Sequence, residues 1–244
     1  KKGRLPMVKI SDFELEFTNI IDRCIAKSSN YSLKDDYSLV TSSDVLAEKT
    51  LISYIEDKFP DILIVSEENS ASHQDEYLLD NRFAIIDPID GTENYFFTNQ
   101  NYGSVVSVIY DEFVYHGIYI PSLKRLISTQ NINDYRFLGS SIKLLSTSCL
   151  GSSPDKIEGS YQNYRVLGSS SYMFFMLLLG QASSYDYCGK AKIWDYFTGI
   201  SLALEAHECF EVLLDGNKVQ SGWFKNSKLK HKSTFNINVV KKND

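Results

Sequence analysis

The sequence predicts a layered α/β protein, and three observations carry that reading. Amphipathic helical stripes near the N-terminus are followed by an apolar strand, short β segments separated by turn residues fill the middle, and strand and helix patterns alternate through the last third. Such alternation stacks sheets and helices around shared apolar cores.

The elements follow in order. Phe13, Phe17, Ile20, Ile21, Cys24 and Ile25 recur at helical spacing behind Ser11, the expected N-cap. A second helix is expected over 44–58, with Val45, Ile52, Ile55 and Phe59 inward and Pro60 ending it before a strand over 62–65. A further apolar strand, 83–86, runs directly into acidic residues. Residues 105–110, 114–120 and 125–129 read as an antiparallel meander turned by Asp111-Glu112 and Pro121-Ser122. Beyond it come a strand (164–167), a helix (169–179), a short strand near Tyr185, a helix (195–206) and a strand (210–214). The basic stretch 225–232 is expected to be a solvated loop. With no internal repeat and no Pro/Gly-rich linker, the 244 residues are expected to form one domain of two packed lobes, about 8–140 and about 141–244.

Composition narrows the function. A net charge of −6 with scattered basic residues argues against a nucleic-acid partner held through phosphate neutralisation and favours small solutes. Four cysteines without C-x-x-C spacing suggest neither a zinc site nor a dense disulfide framework, and a reducing cytoplasm is expected. The longest apolar run, 173–179, is far below the roughly 20 residues of a membrane span. The basic N-terminal residues lack the apolar run of a signal peptide. His73, His116, His207 and His231 are isolated and are expected to be structural.

Four separated apolar segments end in acidic or hydroxyl residues: Val40-Thr41-Ser42-Ser43-Asp44, Val65-Ser66-Glu67-Glu68, Ile86-Asp87-Pro88-Ile89-Asp90-Gly91-Thr92 and Ile193-Trp194-Asp195. Strand ends are where α/β folds assemble sites. Two carboxylates about 4 Å apart repel by roughly 4 kcal/mol at an effective dielectric near 20, so clustering them calls for a positive charge between. Acids without matching histidines describe an oxygen site for a hard cation such as Mg²⁺. Asp87 and Asp90 flank Pro88-Ile89 in a spacing that suits a turn where both face one ion. Gly91-Thr92 then opens a helical turn whose free N–H groups suit a phosphate. Metal beside phosphate suggests phosphoryl transfer to water. Taken singly, Asp44 and Asp195 could be plain N-caps, Glu67-Glu68 a solvated edge, and Ser169 an N-cap after a turn glycine. Glu68 is read as supporting at most, and Glu93 as surface charge.

Together, Glu67-Glu68, Asp87-Pro88-Ile89-Asp90-Gly91-Thr92 and Trp194-Asp195 resemble the three signature segments of the inositol monophosphatase family. The resemblance implies a five-layer αβαβα sandwich, a homodimer and a lithium-sensitive, Mg²⁺-dependent phosphomonoesterase acting on a small polyol, sugar or inositol phosphate. It implies that Glu67, Asp87 and the Ile89 carbonyl hold one Mg²⁺, that Asp87, Asp90 and Asp195 hold a second, and that a third sits loosely near Glu67. Asp44 and Thr92 would orient and deprotonate the attacking water, with Glu67 counted among the catalytic groups. Gly91, Thr92, Gly168, Ser169, Ser170 and Asp195 would contact substrate, and Lys34 would match a lysine on a mobile loop. The chain departs from the pattern at Cys188, where relatives acting on inositol phosphates usually carry a glutamate seven residues before the aspartate. Asp186 could replace it only in a shifted strand, and Lys190 and Lys192 bring positive charge nearby. Glu205-Ala206-His207-Glu208 stands where relatives show a glycine pair. The nearest alternative is a 3′(2′),5′-bisphosphate nucleotidase, against which Glu93 stands where a lysine is common. A fructose bisphosphatase ranks behind it, and a non-catalytic member is disfavoured because every expected ligand is present.

Overall fold

The computed structural model describes residues 8–25, 30–35, 37–69, 76–78, 81–135, 140–152, 163–206, 210–224, 228–230 and 232–239. His73, His207 and His231 lie outside them, as do residues 225–227 of the basic stretch.

The first lobe opens with α1 (Ile10–Ile25), a hairpin of β1 (Tyr31–Leu33) and β2 (Leu39–Thr41), and α2 (Ser42–Lys58). After β3 (Leu63–Ser66) and the short β4 (Glu76–Leu78) comes β5 (Arg82–Asp90), then α3 (Thr92–Thr98), β6 (Gly103–Tyr110), β7 (Phe113–Ile120) and β8 (Arg125–Ser128). The main sheet has the order β3-β5-β6-β7-β8, with β3 parallel to β5 and the rest the expected antiparallel meander. Strand β5 is buried on both faces, which is why it reads as an unbroken apolar run. Ala84 and Ile86 pack against Phe13, Phe17, Leu51 and Ile55 of the two N-terminal helices, while Phe83 and Ile85 face the opposite core.

That second core is shared with the other lobe: β9 (Lys143–Leu145), α4 (Thr147–Ser152), β10 (Tyr164–Arg165), α5 (Ser170–Leu178), β11 (Ser184–Lys192), α6 (Ile193–Glu205), β12 (Phe210–Leu214), β13 (Asn217–Val219), β14 (Lys228–Lys230) and β15 (Lys232–Val239). Helices α5 and α6 lie between the two sheets, supplying Phe174, Leu177, Trp194, Phe197 and Ile200 to one continuous core. The second sheet runs β10-β9-β11-β15-β12-β13, and α4 packs on β11. No helix among the described residues is long and apolar enough to cross a membrane.

Several expectations are corrected. Ser11 lies inside α1 rather than capping it. In α2, Val45 is 51% exposed, whereas Ser43, Asp44, Ala47, Glu48, Leu51 and Ile55 are buried. Ile55 and Phe59 are buried as expected and Ile52 packs half-buried against the same core, so the correction is confined to the first turn, where Ser43 and Asp44 take the inward place expected of Val45. The expected strand over 164–167 shrinks to two residues, and the one near Tyr185 grows to nine. Within the basic stretch, Lys228–Lys230 pairs with β4, and Lys232 begins β15, an interior strand of the second sheet.

Candidate active site

Local folding explains each acid's position. Thr41 caps α2 by accepting from the amides of Ser43 and Asp44, and Asp44 answers by accepting from the Thr41 amide at 2.9 Å, a reciprocal capping box. The Thr41 hydroxyl also donates to Asp44 Oδ2. This leaves Asp44 Oδ1 to accept from the Thr92 hydroxyl at 2.9 Å, and the same hydroxyl lies 3.2 Å from the Ile89 carbonyl. Asp195 sits in the first turn of α6, where its Oδ2 accepts from the Lys192 amide at 2.9 Å. Both acids are therefore helix N-terminal acids, as their ordinary reading would have it, and both also face the strand ends.

Strand β5 runs on through the motif, with its pairing to β6 shifted between Asp87 and Asp90. The irregularity is tied down by the Ser104 hydroxyl donating to the Pro88 carbonyl and the Ile89 amide donating to Asp87 Oδ1 at 3.2 Å. Gly91 follows with φ +88°, and a Cβ there would stand 2.8 Å from Ser169 Cβ. The position requires glycine for conformation and for space. Across this seam Asp90 Oδ2 accepts from the Ser169 hydroxyl at 2.7 Å and the Ser171 amide at 2.5 Å. Ser169 is at once the N-cap of α5 and a partner of Asp90. Gly168 also has positive φ and lies against Asn94, whose side chain donates to the carbonyls of Leu167 and Asn101. The Ser170 hydroxyl pairs instead with Tyr185, 2.9 Å away.

Carboxylate oxygens of Asp87, Asp90 and Asp195 lie within 4.8 Å of one another. Burial, then the charges of Glu67, Asp90 and Asp195, raise Asp87 well above the usual carboxylate range. Burial also raises Asp90. Asp195 is pushed up to about 8 by burial and then by Asp90 and Glu67. Burial raises Asp44 despite its hydrogen bonds. These acids destabilise one another's ionised forms, which is the condition a divalent cation relieves. The donor set is all oxygen, which fits a hard divalent cation.

Glu67 stands slightly apart, held by Lys34. The Lys34 ammonium lies 3.0 Å from Glu67 and 2.6 Å from Glu68. Burial lowers the lysine, but the two glutamates overcome that and raise it. Glu93 is exposed, as expected.

Sequence reasoning missed several residues. Ser171 bonds Asp90 through its backbone, a role no side-chain pattern announces. Glu48 is buried, is pushed up to about 7 by burial, and accepts from the Glu68 amide at 2.9 Å. Its four-residue spacing from Asp44 was the available signal. Burial, then the charges of Asp195 and Asp90, raise the Tyr187 hydroxyl, which marks it as a neighbour of the acids. Cys188 is joined to Cys149 by a disulfide, a pairing the cysteine spacing does not suggest. Asp186 does not take the missing glutamate's place: its carboxylate accepts from the Asn236 side chain in the sheet, although β11 does carry a register shift between Tyr187 and Ala191. The Lys192 ammonium lies over the Trp194 ring, 5.4 Å from its centroid.

Two sheets with α5 and α6 between them, and Asp87, Asp90 and Asp195 gathered where strand and helix ends meet, define a layered α/β sandwich whose fold is known from solved structures. The chain superposes on a crystal structure of an IMPase/NADP phosphatase complexed with Mg²⁺ and phosphate with a TM-score of 0.71, at 19% identity, covering 94% of this chain and 88% of that one. The profile of the inositol monophosphatase family matches residues 11–210, and the chain belongs to that family. Human inositol monophosphatase 1 is 40% identical over 77 residues, 31% of this chain and 28% of the human protein's length. The 3′(2′),5′-bisphosphate nucleotidase CysQ of Salmonella typhimurium is 24% identical over 200 residues, 74% of this chain and 79% of that protein.

Proposed function

We propose that the chain is a Mg²⁺-dependent phosphomonoesterase acting on a small polyol, sugar or inositol phosphate. The observation that carries this reading is the meeting of Asp87, Asp90 and Asp195 within 4.8 Å beside a hydrogen-bonded Asp44–Thr92 pair. Glu67, Asp87 and the Ile89 carbonyl would hold one ion, Asp87, Asp90 and Asp195 a second, and Glu67 a third more loosely. Bound there, the ions would lower the pKa of a water and offset charge on the leaving oxygen.

The chain's own residues do the rest. Thr41 occupies Asp44 Oδ2, so the proton leaving Thr92 has one destination, Asp44 Oδ1. Thr92 Oγ1 in turn takes the proton of the attacking water. The Gly91 and Thr92 amides orient the phosphate, and Gly168 and Ser169 border the rest of the substrate. With the Ser170 side chain turned to Tyr185, the expected contact from Ser170 falls to its backbone. A lithium-sensitive homodimer belongs to the same reading, while the Cys149–Cys188 disulfide bears against the reducing cytoplasm expected from the cysteine pattern.

A second reading, a 3′(2′),5′-bisphosphate nucleotidase, is favoured by the long alignment with CysQ and by Cys188, engaged with Cys149 where a hydroxyl-binding glutamate is expected. The purified chain should release phosphate from a panel of inositol, sugar and nucleotide phosphates with Mg²⁺ and not with EDTA. Release from the inositol and sugar arm supports the first reading and release from the nucleotide arm the second. No release from any member overturns both.

A further inference from the structure

We infer that Glu48 is the positioning residue that sets Glu67 for a divalent cation, an inference that rests on the metal-dependent reading above. Glu48 lies on α2 one turn beyond Asp44 and is 6% exposed. Its Oε2 accepts from the Glu68 amide at 2.9 Å. That amide belongs to the peptide unit joining Glu67 to Glu68, so holding it fixes the plane through which the chain leaves β3 and the direction in which Glu67 projects. From the other side the Lys34 ammonium bridges both glutamate side chains, at 3.0 and 2.6 Å. The bend is therefore gripped by its backbone from α2 and by its side chains from the β1–β2 hairpin.

Stability alone does not account for an acid here. Carboxylates are seldom buried without a cationic partner, and an apolar group of similar size in such a place is often neutral or stabilising. Glu48 adds a third acid behind Glu67 and Glu68, which raises the electrostatic cost of the bend. A carboxylate at this point makes sense if a strong acceptor for the Glu68 amide is what the site needs, and charge-assisted hydrogen bonds are the strong ones. Glu48 and Asp44, on successive turns of one helix, would then tie the metal-facing glutamate and the proton relay to the same rigid element.

The test uses the full chain as Glu48→Ala and Glu48→Gln, with Mg²⁺ binding followed by calorimetry and phosphate release followed against Mg²⁺ concentration. Loss of an outer partner of a metal ligand typically costs 10–100-fold in affinity, so Glu48→Ala should bind Mg²⁺ at least about tenfold more weakly and need correspondingly more for half-maximal rate. At saturating Mg²⁺ its kcat should recover to within about threefold, because Glu48 moves no proton in the reaction. Glu48→Gln keeps an oxygen for the Glu68 N–H without the charge that strengthens the bond, and should bind Mg²⁺ more weakly than the parent but more tightly than Glu48→Ala. Should the alanine variant not fold, Glu48→Met, which fills the space without an oxygen, repeats the measurement. Parental Mg²⁺ affinity in a folded alanine or methionine variant overturns the inference, as does a glutamine variant no better than alanine. Absence of Mg²⁺-dependent release from the parent would instead sink the phosphatase reading, while the calorimetry would still judge Glu48.

Discussion

Helix α6 carries a half-buried acid near each end, and the two have opposite surroundings. Asp195, in the first turn, faces Asp87, Asp90 and Glu67. Glu205, the last residue, lies with its Oε1 3.6 Å from His116 Nε2. A helix dipole favours negative charge at the N-terminal end and opposes it at the C-terminal end. Yet Asp195 is pushed up to about 8 and Glu205 to about 7, so at the first end burial, and after it the neighbouring acids, outweigh both the dipole and the Lys192 amide. Around Glu205 the charge problem is solved by protons. Burial lowers His116 to about 3, keeping it neutral, its Nδ1 lies 2.8 Å from the Ser107 hydroxyl, and Ser107 meets Thr198. The comparison separates two kinds of buried acid: one beside a neutral histidine, and one set among other acids whose charges add to the cost of its burial.

The largest test of that distinction is Asp90→Asn. Turnover should fall by at least about a hundredfold, the upper range for loss of even an outer partner of a metal ligand. The metal-free variant should melt above the metal-free parent, because one mutually repelling carboxylate is gone while an amide oxygen remains to accept from Ser169 and Ser171. Phosphate release and thermal melts in EDTA read the two effects, and an unchanged rate would remove the site. Next in size is the response of the parent to Mg²⁺. A ligand at a hundred times its Kd stabilises the native state by about 2.7 kcal/mol, so the melting transition should rise on adding Mg²⁺ and return with EDTA. Asp90→Asn should lose most of that rise, whereas substitutions at the Glu205 end should keep it.

Much of the site end was legible in the sequence, because acids following apolar runs mark strand ends whatever the details of the fold. The Asp87 to Thr92 segment was readable as chemistry but not as geometry: β5 carries on to Asp90 with a shifted register where a turn was expected. Val45 was misplaced at the start of α2 because Ser43, Asp44 and Glu48 share the buried face with Ala47 and Leu51, while Ile55 and Phe59 lie inward as expected. Strand β15 did contain a period of two, with Ser233, Phe235 and Ile237 buried, but lysines and asparagines between and before them gave it the composition of a loop. The Cys149–Cys188 pair, 39 residues apart, depends on α4 meeting β11, a tertiary fact without a local signature.

A smaller effect probes the seam beside the acids. Gly91→Ala would place a methyl group 2.8 Å from Ser169 Cβ at a φ of +88°. Strained backbone and overpacking together should cost roughly 2 kcal/mol, read as a lowered urea midpoint with unchanged slope. Activity should fall with it, since Ser169 must shift and take its hydrogen bond to Asp90 along. Full activity would mean that the seam can open without disturbing the acids.

The smallest effect lies at the other end of α6 and depends on pH. Glu205 is raised from its ordinary 4.5 to about 7, chiefly by burial, with Thr129 pulling weakly the other way. The folded state therefore holds a proton that the unfolded chain releases, and the contribution is fully present below about pH 4.5 and lost as pH rises through about 7. His116 has the opposite sign: lowered to about 3 by burial, it favours the fold above its ordinary 6.5 and ceases to do so as pH falls through about 3. In Glu205→Gln the histidine keeps the burial that lowers it, so the difference between variant and parent above pH 6.5 reports the acid. The full shift corresponds to roughly 3 kcal/mol, and with the Glu205 side chain 26% exposed, about 1 to 2 kcal/mol is the expected gain at pH 8, shrinking toward zero near pH 4.5. Urea titrations at the two pH values measure it. A difference that fails to grow with pH would show Glu205 ionised in the folded protein, and the contrast between the two ends of the helix would lose its physical basis.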